Sequence, residues 1–118
     1  MDITESTTLL TPYEQRHPWE TARLQILEAL LRTTATNGQL RREIVVDVGC
    51  GDLFVAGQLA GHWPDSEFVG VDIAFDAATL DLLRQSIGLP NLHVFSSTAD
   101  ALEFLSQPAT IILLNDVI

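Results

Sequence analysis

The chain has 118 residues, 47% of them apolar and 19% charged, which suits one globular domain with a real core and leaves too little length for two. Sixteen carboxylates stand against six arginines and no lysine, a formal net charge of -10, so the surface repels phosphate backbones and anionic lipid and predicts neither nucleic acid nor membrane as a partner. The apolar runs fall far short of the ~20 residues that cross a bilayer, the N-terminus lacks the basic and hydrophobic parts of a signal peptide, and the single Cys50 has no partner for an internal disulfide, so a reducing, cytoplasmic setting is expected.

Residues 1 to about 16 are polar, rich in Thr and Ser and without period, and read as a flexible arm. From Pro18 the pattern is helical: Trp19, Ala22, Ile26 and Leu30, flanked by Leu27 and Leu31, recur at three- and four-residue spacing and predict one apolar face, ending between Thr33 and Asn37-Gly38. After Arg41, Arg42 and Glu43, the run Ile44-Val45-Val46-Asp47-Val48 is apolar on both faces, as an interior parallel strand must be. A glycine turn over Gly49 to Leu53 leads into a second helix carrying Phe54, Val55 and Leu59, with Trp63 and Pro64 near its end.

Glu67 to Asp72 is a second strand, and a third helix begins near Asp76 with Leu80, Leu83 and Ile87 on one face and Leu82 at its edge. Leu92 to Phe95 is a third strand, Asp100 to about Ser106 a short fourth helix, and Ala109 to Leu114 a fourth strand. Strands alternating with helices mean right-handed βαβ units and a parallel sheet.

The chemistry gathers where strands end. In Asp47-x-Gly49-x-Gly51 the glycines permit backbone angles and close approach that a Cβ would block, and the following helix start presents N–H groups. A carboxylate two positions before the first glycine repels a pyrophosphate but attracts an ammonium group. The third glycine of a dinucleotide fingerprint would fall at Phe54, and a Walker A loop needs a lysine, so neither phosphate-binding pattern is present. Asp72 ends the second strand, where a carboxylate can accept from both hydroxyls of a ribose. Two acidic strand ends without a phosphate loop suit a ligand with a ribose and a cationic amino-acid portion, as in S-adenosylmethionine.

On these residues the chain resembles class I S-adenosylmethionine-dependent methyltransferases. Val46-Asp47-Val48-Gly49-Cys50-Gly51-Asp52 is similar to that family's first motif and Val69-Gly70-Val71-Asp72-Ile73 to its second, while Ser97 to Leu102 and Ile112 to Val117 match its third- and fourth-strand segments. The resemblance implies an α/β, Rossmann-like three-layer sandwich with a partial parallel sheet of about four strands in the order 3-2-1-4 and helices on both faces. It also implies Asp47 near the methionyl amino group, Gly49, Cys50 and Gly51 under the cofactor, Asp72 on the ribose, Ile73 against adenine, Asp100 with Ala101 at the exocyclic nitrogen, and Asn115 through its backbone. The family's frequent small residue two after Gly51 is Leu53 here.

The family sheet has seven strands and this chain supplies four, so residues 17–118 are expected to be the cofactor-binding part of a domain incomplete at its C-terminus. Its acceptor is expected to be a small molecule, and no general base is assigned. Two other readings stand beside it: a nicotinamide- or nucleoside-binding α/β domain, and a non-catalytic assembly module pairing with a second copy through its open fourth strand. Cys50 is read as packing rather than a nucleophile, Trp19 and Trp63 as packing, and Tyr13, Arg16 and His17, which could line the mouth of the pocket if the first helix closes over the cofactor, as helix start and surface.

Overall fold

The structure, a computed structural model, describes residues 16–34 and 42–114. The expectations placed on the N-terminal arm before Arg16, on the end of the first helix at Asn37-Gly38, on Arg41 and on Asn115 lie outside those residues. The elements run α1 (Pro18–Thr34), β1 (Ile44–Val48), α2 (Phe54–His62), β2 (Glu67–Val71), α3 (Ala77–Ser86), β3 (Leu92–Phe95), α4 (Thr98–Phe104) and β4 (Ile111–Leu114).

All strand pairs are parallel and the sheet order is β3-β2-β1-β4, so β1 and β2 are interior, as their two-sided apolar runs require. Val46 lies opposite Val69 on one side and Ile112 on the other, which fixes the register across the centre. One sheet face carries Val45, Phe68, Leu92 and Val94 against Leu24 and Leu31 of α1, Phe54, Ala56 and Leu59 of α2, Trp63 beyond its end, and Leu83 of α3. The other face carries Val46, Val69 and Val71 against Ala101 of α4. The fold is therefore α/β and Rossmann-like, with helices on both faces. No helix among the described residues is long and apolar enough to cross a membrane.

The first helix is rotated relative to its sequence expectation. Trp19, Ile26 and Leu30 are 48%, 60% and 57% exposed, while the buried stripe is Leu24 and Leu31 with Leu27 half-buried between them. The reason lies at the start of the helix: Arg16 pairs with Glu20 and with Asp52 at the foot of α2. Glu20, Leu24, Leu27 and Leu31 share one face at 3.6 residues per turn, so anchoring Glu20 toward α2 turns the leucines inward. Trp19 packs instead under the Arg23 guanidinium, 4.1 Å from its ring centre.

Two helix starts follow from capping. The Asp76 carboxylate accepts from the Thr79 N–H at 2.7 Å and opens α3 where expected. The Ser97 hydroxyl oxygen accepts from the Asp100 N–H at 3.1 Å, so α4 begins at Thr98 rather than at Asp100. The first two residues of the expected fourth strand, Ala109 and Thr110, precede β4; the Thr110 N–H donates to the Ile44 carbonyl at 2.9 Å and aligns β4 on β1.

Candidate functional site at the carboxyl ends of β1 and β2

Chain geometry concentrates the acidic residues beside one turn. Asp47 is buried in β1, opposite Gly70 of β2 and Leu113 of β4. The chain then passes through Gly49 at φ 76°, Cys50, and Gly51 at φ 60°, left-handed conformations that only glycine adopts without cost. The N–H groups of Gly49 and Cys50 both donate to the Val71 carbonyl, at 2.8 and 3.2 Å, so the turn folds back over the end of β2.

Asp72 sits one residue past β2 and braces this turn. Its Oδ2 accepts from the Gly51 N–H at 2.9 Å and its Oδ1 from the Ala74 N–H at 2.9 Å. The sequence places Asp72 at a ribose; the structure adds this bracing role, and a carboxylate has about four acceptor sites, so capacity for two hydroxyls remains. Ile73, next along, is 90% exposed, an apolar side chain held in the open beside the strand ends.

Leu53 occupies the slot where a small residue is usual in the resembled family, and the structure shows what accommodates it. Its φ is 68°, a strained value for a branched side chain, yet it is fully buried. A Cβ on Gly70 would lie 2.7 Å from Leu53 Cδ2 and 3.0 Å from Cys50 Sγ. Gly70 thus makes room in β2 for the bulk of the turn above it. Gly70→Ala is expected to lower stability by about 1–3 kcal/mol in urea unfolding, because the added methyl forces the buried Leu53 and Cys50 to shift; an unchanged midpoint would contradict this packing account.

Cys50 is buried, and burial pushes its thiol well above the ordinary 9.0; the negative charges of Asp47, Asp72 and, more weakly, Asp52 push the same way, against its own backbone hydrogen bond. Burial and the raised thiol pKa both disfavour the thiolate, which supports the reading of Cys50 as packing. Since the folded thiol holds its proton more tightly than the unfolded one, this contribution to stability is intact below pH 9 and is lost as pH rises above it. Iodoacetamide labelling of Cys50 is expected to be slow in the native chain and fast in urea; equal rates would show an accessible thiolate.

The remaining expected residues separate. Asp100 is exposed in the first turn of α4, with its carboxylate available at the third strand end. Ala101 is buried in the core against Val46, Val69 and Val71 and donates its N–H to the Ser97 carbonyl, so it serves packing more than a ligand. In the sequence Asp52 has no role of its own beyond its place in the first motif, and Arg16 reads as helix start and surface in preference to the mouth of the pocket. The structure buries both, with side chains 3% and 4% exposed, as an ion pair beside the turn. The signal available for Asp52 was its place two residues before a helix start, where its Oδ1 accepts from the Phe54 N–H at 3.1 Å. No sequence signal links Arg16 to it.

A groove of about 420 Å³ runs along the outer edge of β3, lined by Arg84, Ile87, Leu89, His93, Phe95 and Phe104 among others. None of the residues just described lines it. Arg84 donates to the Val94 carbonyl at 2.7 Å and so covers part of an unpaired strand edge. The acidic turn, rather than this groove, holds the convergent polar groups.

No family model matches the chain, and no curated protein matches it. Among solved structures it is similar to a crystal structure of a mutant of MtNAS, with a TM-score of 0.54 and 20% identity over 95% of this chain and 43% of that one. The chain thus spans less than half the length of that structure. A likeness at this identity carries the fold alone, the Rossmann-like α/β arrangement described above.

Proposed function

We propose that the chain binds S-adenosylmethionine at the carboxyl ends of β1 and β2, as the cofactor part of a methyltransferase acting on a small molecule. One observation carries the reading: a positive-φ glycine turn flanked by the carboxylates of Asp47 and Asp72, in a chain without lysine or a phosphate-binding loop. In this reading Asp47 faces the methionyl ammonium and Gly49, Cys50 and Gly51 form the floor. Asp72 takes the ribose hydroxyls, Ile73 lies against adenine, and Asp100 meets its amino group. Asn115 adds a backbone contact. Bound there, the cofactor supplies an activated methyl group. The chain's residues orient it and exclude water from one side; they provide no assigned base.

Isothermal titration with S-adenosylhomocysteine and, separately, NAD tests this. Heat with the former alone is expected; heat with NAD alone would replace the proposal with a nicotinamide-binding domain, in which Asp72 would hold the nicotinamide-side or adenosine ribose.

A second reading, self-association, is favoured by the far edge of the sheet. Ile112 and Leu114 are 63% and 68% exposed on β4, and no charged residue lies between Glu103 and Asp116. The β3 edge has Arg84 over it, whereas the residues of β4 itself are uncharged. In a chain of net charge -10 this neutral strand is where two copies repel least, and antiparallel pairing of two β4 edges would satisfy its open backbone groups and join the apolar Ile112 and Leu114 of both copies into one strip. Sedimentation velocity is expected to show a concentration-dependent dimer that Ile112→Lys removes; a monomer at every concentration would exclude it.

A further inference from the structure

The turn is fastened from a distant part of the chain. Asp52 is carried at its end, 36 positions after Arg16, and neither side chain of this pair reaches water. Oδ1 of Asp52 accepts from the Phe54 N–H, while Oδ2 accepts from Arg16 Nη1. The same guanidinium lies 4.4 Å from the centre of the Phe54 ring and reaches Glu20 Oε2 at 3.3 Å. It therefore holds the turn by charge, by a hydrogen bond and by stacking at once.

Charge at the turn makes this arrangement more than a fastening. Asp47 lies two residues before Gly49, Asp72 accepts from the Gly51 N–H and Asp52 closes the turn, so three carboxylates flank one short backbone segment, and their charges act in the same direction on the Cys50 thiol between them. A buried carboxylate that loses its cation is costly: it must take up a proton or draw its backbone toward water. Movement of Asp52 toward water would displace the loop that carries Gly49 and Gly51, since Asp52 closes that turn.

We infer that Arg16 is a positioning residue for the cofactor site, offsetting the charge of Asp52 so that the glycine turn keeps the conformation a ligand needs. This rests on the S-adenosylmethionine reading for the identity of the ligand, and on the geometry alone for the effect on the turn. The residue acts through Asp52 and need not touch the ligand. The defect of losing Arg16 is therefore that of a buried carboxylate that has lost this cation, and removing that carboxylate's charge repairs it. Asp52→Asn keeps an oxygen that can accept from the Phe54 N–H, so the repaired chain retains the helix-start contact.

S-adenosylhomocysteine titrations on the whole chain, its R16Q and D52N variants and the R16Q/D52N double variant test the inference, with melting temperatures measured alongside. R16Q is expected to weaken binding by about tenfold, and R16Q/D52N to recover to within about threefold of the unaltered chain, in the range of coupling seen between contacting residues. Unchanged affinity in R16Q, or a double variant as weak as R16Q, would overturn the inference. If the unaltered chain binds no S-adenosylhomocysteine, the cofactor assignment falls instead, and the melting temperatures decide the charge-balance claim. A lowered value in R16Q that the double variant restores supports it, and no restoration overturns it.

Discussion

Asp72→Ala is expected to weaken S-adenosylhomocysteine binding by about 100-fold, equivalent to about 2.7 kcal/mol. Two losses combine. The carboxylate proposed to accept from both ribose hydroxyls is gone, and hydrogen bonds to charged groups contribute about 1.5–3 kcal/mol each. The Gly51 N–H, held at 2.9 Å by Oδ2, also loses its acceptor, as does the Ala74 N–H. The turn and the chain after β2 then lose their common brace. Since Asp72 is only half-buried, water replaces part of what is lost, and the stability change is expected to be smaller, about 1–2 kcal/mol. Asp72→Asn retains one acceptor oxygen and is expected to fall between the two. Binding by Asp72→Ala at the original affinity would remove Asp72 from the site.

Asn91→Leu is expected to destabilise the fold by about 3 kcal/mol, by leaving buried carbonyls unsatisfied. The buried Asn91 side chain donates through Nδ2 to the carbonyls of Ala60 at 3.0 Å, Trp63 at 3.2 Å and Ser66 at 2.9 Å. An amide nitrogen has two hydrogens, so one is shared between acceptors. These carbonyls belong to the end of α2 and its link to β2, where intrahelical partners have run out. The Asn91 backbone carbonyl accepts from the Phe68 N–H at 2.8 Å, so the residue also sets the start of the β2–β3 register. Leucine fills a similar volume and can satisfy none of the three oxygens. Urea unfolding checks this, and a midpoint unchanged from the parent chain would mean that water reaches them.

Element order and type were legible because each strand is a short apolar run followed by a small or polar residue (Gly49, Asp72, Ser96, Asn115), and the helices between them carry apolar residues at helical spacing. The strand order followed from resemblance, since nothing local in Ile111 to Leu114 states that it pairs with β1. The rotation of α1 was not legible. Its sequence offers apolar side chains on more than one face, and the choice between Trp19, Ile26, Leu30 and Leu24, Leu27, Leu31 is made by the Arg16–Glu20–Asp52 contacts, which join residues 36 apart. A helix read in isolation cannot show a tertiary anchor.

At the site, the positive-φ glycines and the inert cysteine were readable from spacing and residue type. Three things were hidden. Ser97 as the cap of α4 lay one turn ahead of the first apolar signal, so the helix was started late. Leu53 looked like a departure from a family pattern, whereas Gly70 opposite it supplies the space, a compensation between two elements. Asp52 has no local signal that sets it apart from the other carboxylates of an acidic chain beyond its place in the first motif, and burial with Arg16 distinguishes it. Side-chain burial of a charge depends on what the rest of the fold brings over it, and that information is not local.

The central claim, that a ribose-bearing cationic cofactor binds where β1 and β2 end, is tested most directly by amide chemical shifts during titration with S-adenosylhomocysteine. The account predicts saturable shifts at Gly49 to Asp52, at Asp72 to Ala74 and near Asp100, with little change along the β3 groove at Arg84 and Phe104. Shifts confined to that groove, or none at the glycine turn at saturating ligand, would contradict it.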